Sequence, residues 1–317
     1  MTETNTSGII TAAADIIAGA FNALPKRVCN QHKFSDYADY LHENLPAQAE
    51  LDLQREKPLN PAPLVSVAIA CSGASRAAVR STLEALGKQT YANFEVCVVS
   101  ELAQAGLTDY EGIPKFRLVL FNGTAHEQLK AAEKMLNGAY FLQLLPGDLP
   151  APDALHMLVL QTHANPEAEV VFADEDSVID GIRQNPIFKP DYGRDTLRSF
   201  NSIGRPMLVS KRVHTAVGGF RGSTPAELWA YCIDCASAAK QVIHIARIGL
   251  TVIRDCDGSE IPCTDILKRE FNSLYPGDGS GKKNRTNGCC FEGSVLGTLR
   301  MRYPRKREPS VLSLIHI

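Results

Sequence analysis

Residues 64–70 (LVSVAIA) and 94–99 (FEVCVV) are short, nearly unbroken apolar runs, and the stretch between them carries Val79, Leu83 and Leu86 at helical spacing. A strand that shows no polar alternation is covered on both faces, and two such strands joined by a crossover helix run parallel. This pattern predicts an α/β fold, a mostly parallel sheet flanked by helices. Ser75 stands where its hydroxyl can cap the crossover helix. The strand signal repeats at residues 116–121 and the helix signal at 126–136. A further strand at 140–145 is ended by Pro146-Gly147-Asp148, and the helix after Pro152 presents Leu155, Leu158 and Val159. The run 170–173 is expected to be a strand that stops on Asp174, Glu175 and Asp176. Ligands of open α/β sheets gather outside the carboxyl ends of the strands, so Asp148 and the 174–176 acids are expected to face one cleft. Solvation of strand ends is the competing reading.

Ahead of the sheet, residues 8–24 place Ile9, Ile10, Ala13, Ile16, Ile17 and Phe21 at near-helical spacing, and Tyr37, Tyr40 and Leu41 begin a second amphipathic stretch after Ser35. This is an N-terminal helical arm whose apolar face can dock on its own domain, on a partner or on a membrane surface; residues 57–63 form the linker. The run 8–24 contains Asp15 and no Lys or Arg precedes it, which fits neither a spanning helix nor a signal peptide. A cytoplasmic chain is therefore expected, peripheral membrane contact remaining open, and the sequons at Asn5, Asn122 and Asn284 carry no weight. A formal charge of -2 and a pI near 6.5 give no basic field for nucleic acid. The basic stretch 282–307 reads as a solvated linker or as a contact for anionic headgroups. Cys71 and Cys97 read as core residues, and Cys232 and Cys235 form a CxxC without a second one at zinc-finger spacing, so buried or idle thiols are expected there. Residues 277–283 (GDGSGKK) lack the spacing of a phosphate-binding loop, and no GxGxxG follows the first strand.

Five segments occur in a telling order: 63–69 (PLVSVAI), 89–99 (QTYANFEVCVV), 173–176 (ADED), 188–191 (FKPD) with 199–201 (SFN), and 217–221 (VGGFR). Together they resemble the family-2 glycosyltransferases of the GT-A fold, in particular the first domain of the bacterial two-domain enzymes of O-antigen and surface-polysaccharide synthesis. The resemblance implies a Rossmann-like, mostly parallel sheet with an N-terminal helical arm and linker at 1–60, a transferase domain at 61–255, a C-terminal extension at 256–307 and the start of a second glycosyltransferase domain at 308–317. It implies transfer of a sugar from a nucleotide-sugar donor to a glycan or lipid-linked acceptor. The alternative is a degenerate, non-catalytic GT-A domain that binds a glycan or scaffolds a second transferase.

An inverting transfer needs a hold on the nucleotide, neutralisation of the departing diphosphate and a base for the acceptor proton. For the nucleotide the turns after the first two strands read Cys71-Ser72-Gly73 and Ser100-Glu101, so Glu101 is the carboxylate on offer. For the diphosphate the family's acidic motif binds Mg or Mn; here the aligned residues are Leu145, Pro146, Gly147 and Asp148, so Asp148 is either a metal ligand completed by phosphate oxygens and waters or a turn residue after Pro-Gly, with Asp174 and Asp176 as further donor-binding acids. For the base, Glu227 falls near the position the family gives its aspartate, and equally suits a helix surface. Lys189, Asp191 and Asn201 are candidate sugar or acceptor contacts, and Trp229 is either a platform for a sugar ring or core. Arg183 or Arg205 can face a phosphate, because a planar guanidinium suits one, or can lie on the surface.

Overall fold

The computed structural model describes residues 35–101, 113–253, 289–292 and 298–302. The run 8–24, Cys256, Cys263, the glycine-rich loop 277–283 and residues 308–317 lie outside them. Two helices, α1 (Ser35–Asn44) and α2 (Gln48–Glu56), precede β1 (Val65–Ala70), α3 (Arg76–Leu86), β2 (Phe94–Ser100), β3 (Phe116–Leu120), α4 (Ala125–Glu133) and β4 (Tyr140–Leu144). Then come β5 (Asp148–Pro150), α5 (Ala154–Ala164), β6 (Ala168–Ile179), β7 (Ile182–Ile187), α6 (Arg194–Ser199), β8 (Met207–Ser210), α7 (Lys211–Ala216), α8 (Pro225–Ala238) and β9 (Gln241–Ile253). A separate antiparallel pair, β10 (Cys289–Glu292) and β11 (Leu299–Arg302), follows.

The main sheet has the order β3-β2-β1-β4-β8-β6-β9-β5, with β7 on the flank of β6. Strands β3, β2, β1 and β4 are parallel, β8 is antiparallel to both β4 and β6, and β6 again runs parallel to β9. The period of two along β1 sorts its side chains between two apolar layers. Val65, Val67 and Ile69 pack with α3 and α5 through Leu83, Leu86, Leu155 and Leu158. Ala68 and Ala70 join the opposite layer, built from Leu129 of α4, Val213 of α7 and Trp229 of α8. Both faces are covered, which is why all six residues of β1 and all seven of β2 are buried. Ser75 caps α3 by accepting from Ala78 N, as the sequence suggests.

One strand runs further than its apolar composition suggests. β6 does not stop at Asp174: it continues to Ile179, bulging against β9 around Ala173, Asp174 and Glu175, then turns at Asp180-Gly181 into β7. Asp180 and Gly181 have φ of 52° and 77°, the paired positive values of a type I′ hairpin, so an Asp-Gly signal carries the acids into the strand interior. The described part of the N-terminal arm docks on this domain. Tyr37 donates to Asp176 Oδ2 at 2.5 Å, Tyr40 meets the Phe188 ring edge-on, and Arg247 donates to Asn44 O. No helix among the described residues is long and apolar enough to cross a membrane.

The four cysteines whose side chains are described behave as core. Cys97 lies in β2, Cys71 follows β1, and Cys232 and Cys235 share the buried face of α8. Burial pushes the Cys97 thiol up to about 11 and the Cys71 and Cys232 thiols up to about 12.

At the amino end of the parallel strands, Glu95 of β2 is almost fully enclosed. It accepts from Ser66 Oγ at 2.7 Å, Asn137 N at 2.5 Å and Arg117 Nη1 at 2.7 Å, and Ser66 Oγ in turn accepts from Gly138 N. Burial works to raise its pKa, yet the Asn137 amide, Arg117 and Ser66 prevail and hold it below the ordinary carboxylate value. A depressed folded pKa gives stability that is full above the unfolded value and lost as pH falls through the folded one. Glu95→Ala should cost about 1–3 kcal/mol at neutral pH, because it leaves the Asn137 N–H and the Ser66 hydroxyl without their acceptor while Arg117 can turn to solvent. In urea titrations from neutral to acid pH, Glu95→Gln should have a flatter acid limb than the parent chain.

Candidate active site

Three structures converge at the carboxyl end of the parallel strands. The first is the turn after β1. Gln128 of α4 is wholly buried; its Oε1 accepts from Cys71 N and Ser72 N, both at 3.0 Å, and its Nε2 donates to Phe121 O. This one amide fixes the turn's backbone while leaving Ser72 exposed. Ser72 Oγ donates to Glu101 Oε1 at 3.3 Å, so Glu101 sits, solvent-accessible, between the ends of β1 and β2.

The second is the turn before β5. Asp148 closes it by accepting Leu145 N on Oδ2 at 2.8 Å, and Gly147, at φ +95°, donates to Thr82 Oγ1 and Ala78 O of α3. Thr82 and the α3 backbone thus hold the turn at the end of β4. The same Oδ2 accepts from Arg205 Nη1 at 2.5 Å. Asp148 is 1% exposed; burial pushes its pKa above the ordinary value, with Arg205 acting in the opposite direction. A hard divalent cation wants about six oxygen ligands. Leu145, Pro146 and Gly147 bring no side-chain oxygen, and the Asp148 carboxylate already has a guanidinium on it. These residues do not fit Mg or Mn.

The third is the amino end of α8. Thr224 and Glu227 form a reciprocal capping box: Thr224 Oγ1 accepts Glu227 N at 3.3 Å and Glu227 Oε2 accepts Thr224 N at 3.0 Å. Gln143 of β4 donates to Gly222 O at 2.8 Å, which seats this helix end over the end of β4; its Oε1 has no partner among the described residues. A buried polar cluster under the Gly218-Gly219-Phe220 loop aims it. Glu133 Oε1 accepts from Phe220 N, His214 Nε2 lies 3.3 Å from the same oxygen, His214 Nδ1 lies 2.6 Å from the Tyr231 hydroxyl, and Lys130 Nζ donates to Gly218 O.

The acids of β6 are engaged within the protein. Asp174 Oδ1 accepts from Lys189 N and lies 2.8 Å from His244 Nε2, and Asp176 Oδ2 accepts from Arg183 and Tyr37. Glu175 Oε2 takes Lys189 Nζ at 3.2 Å and Arg205 N at 3.2 Å. Burial favours the neutral acid, but the charges of Lys189 and Arg205 outweigh it and keep Glu175 below the ordinary range. Lys189 is buried and donates to Ala173 O and Arg205 O at 2.7 Å as well; burial lowers its pKa against Glu175. Asn201 Oδ1 accepts Gly204 N and so shapes the loop that carries Arg205. Asp191, 95% exposed, flanks His244. Trp229 is core: it is 1% exposed and its indole donates to Leu197 O.

Glu101, the Asp148 turn and the Glu227 helix end therefore lie at one end of the sheet, whereas Asp174, Asp176 and Lys189 brace it from within. Gln128, Gln143 and His214 escape a reading of motifs, because a lone Gln or His has no sequence signature. The Thr224-x-x-Glu227 spacing is the signal that marks Glu227 as a cap residue.

No family model matches the chain. It is 30% identical over 199 residues to the uncharacterized protein y4gI of Sinorhizobium fredii, covering 59% of this chain, and 26% identical over 223 residues to the O-antigen biosynthesis protein RfbC of Myxococcus xanthus, covering 67%. The chain spans 22% and 18% of the lengths of these two relatives. Among solved structures it is similar to S. aureus TarS 1-349 in complex with UDP-GlcNAc, with a TM-score of 0.53 at 14% identity, covering 66% of this chain and 65% of that one.

Replacing Lys189 with Met would leave the Glu175 carboxylate and two carbonyls without their buried partner. Urea unfolding of Lys189→Met should show a loss of about 3–5 kcal/mol, the cost of stranding a buried charge.

Proposed function

We propose that this domain, which has the fold of the GT-A glycosyltransferases, binds a nucleotide-sugar donor across the carboxyl ends of β1, β2 and β4 and transfers the sugar with inversion to a glycan or lipid-linked acceptor in bacterial surface-polysaccharide or O-antigen synthesis. The observation that carries this reading is the convergence of Glu101, the Asp148 turn with Arg205, and the amino end of α8 at the end of the sheet where α/β folds take ligands. The likeness to RfbC supports the pathway, and the likeness to TarS with UDP-GlcNAc supports the donor class.

In this reading Ser72 and Glu101 receive the ribose or base, offering a hydroxyl and a carboxylate. Glu227 takes the acceptor hydroxyl proton as the acceptor oxygen bonds to the anomeric carbon; the bond from that carbon to the phosphate oxygen breaks, and the nucleoside diphosphate leaves with the electron pair. Asp191, whose exposed carboxylate touches only the rim at His244 among the described residues, is the acid that meets a sugar hydroxyl, since Asp174 and Asp176 position β6, β7 and α1. Residues 61–255 form the transferase domain, 256–307 lead from it, and 308–317 open a second transferase domain, which suits relatives several times longer. The domain acts in the cytoplasm, at or near the inner membrane.

One observation favours a second reading, a glycan-binding or scaffolding domain without turnover: the Glu227 carboxylate is already engaged by Thr224 N. Calorimetric titration with UDP-GlcNAc and other nucleotide sugars, with release of UDP to water as the turnover readout, separates the two. Donor binding with turnover supports the transferase, and binding of no nucleotide at all sinks it. Glu227→Gln should leave donor affinity within about twofold while lowering UDP release by about 10²–10⁴, the usual contribution of a general base. Unchanged release in this variant removes Glu227 from the role.

A further inference from the structure

We infer that Arg205 takes the place of the divalent cation at this site, so that a nucleoside diphosphate is held by its guanidinium and binds without metal. The inference rests on the donor-binding reading above and goes beyond it in naming what neutralises the diphosphate. The resemblance implies Mg or Mn at Asp148, and the residues there do not fit either. What the carboxylate holds instead is a guanidinium nitrogen, 2.5 Å from Asp148 Oδ2.

The placement of Arg205 is built. Its backbone is clamped on both sides: N donates to Glu175 Oε2 and O accepts from Lys189 Nζ. Asn201 fixes the preceding Gly204, and Cys232 of α8 lies against the Gly204 carbonyl at 3.8 Å. The side chain is therefore directed across the sheet end to Asp148 and the turn that follows β4. It is 17% exposed, against 1% for Asp148, so the cation rather than the acid is within reach of a ligand. Its guanidinium makes one hydrogen bond among the described residues, from Nη1. Nε and Nη2 keep their N–H groups for phosphate oxygens, and a guanidinium fork suits two such oxygens at once.

The charge balance points the same way. Lys189 is matched by Glu175 in the interior and has no room for a ligand. The Arg205 guanidinium is ion-paired with Asp148 and feels Glu175 only at longer range, so an arriving diphosphate competes with one directly bonded carboxylate for a five-donor cation. Asp148 is then a holder of Arg205, not a metal ligand, and the two roles predict opposite consequences of removing its charge.

The test is calorimetric titration of the full chain with UDP and UDP-GlcNAc, once in EDTA and once with Mn²⁺. The expected affinities agree within about twofold in the two buffers, and Arg205→Gln weakens both by about tenfold or more, worth about 1.4 kcal/mol. Asp148→Asn keeps an oxygen for the Leu145 amide and releases the guanidinium, so it should bind tighter in EDTA. Circular dichroism and thermal melting establish that each variant is folded; if Arg205→Gln is not, Asp148→Asn decides alone. Binding that requires Mn²⁺ and weakens in Asp148→Asn overturns the inference while leaving the donor reading intact. Binding of no nucleotide in either buffer overturns both.

Discussion

A four-membered chain of buried charge, Asp148 to Arg205 to Glu175 to Lys189, holds the candidate site together. Each member comes from a different segment: the first residue of β5, the loop before β8, the middle of β6 and the loop after β7. A lone charge in this interior would cost several kcal/mol, so the segments must assemble jointly or not at all. The network sums to two acids and two bases, and the Lys189 ammonium also satisfies the Ala173 and Arg205 carbonyls. That completeness lets the antiparallel half of the sheet join the parallel half at β4 and β8 with polar groups at the seam.

A second polar cluster does the same for the amino end of α8. Glu133, His214 and Tyr231 fix the Gly218-Gly219-Phe220 loop from beneath, with the Phe141 ring stacked on His214 at 4.1 Å. Burial favours a neutral Glu133, but His214, Lys130 and the Phe220 amide hold its pKa below the ordinary range. The loop delivers Gly222, whose φ of +155° suits glycine, and an added Cβ would meet the Glu227 carboxylate at 2.1 Å. Glu227 is thus confined by backbone geometry as well as by its cap, and its position depends on the loop beneath it.

Much of the parallel half was legible in the residues, because a strand covered on both faces has a composition found in few other settings. The runs at 64–70 and 94–99 lie on β1 and β2, and Ser75 caps the helix between them. The extent of β6 was not legible in the same way, since Asp174, Glu175 and Asp176 look like a strand end until their partners are known. Those partners, His244, Lys189 and Arg183, lie 7 to 70 residues away. α2 carries no comparable signal, because its polar sequence leaves only Leu51 buried.

Local composition thus decided the order of strands and helices, the capping of α3 and the gathering of polar turns at one end of the sheet, because these depend on periodicities of two and 3.6 and on neighbours within a few residues. Tertiary packing decided which acids face outward. Asp174 and Asp176 became struts, Asp148 became the seat of an arginine, and Glu101 stayed accessible. A carboxylate's role is set by the charge and the solvent that reach it, and both arrive from segments far away in the chain.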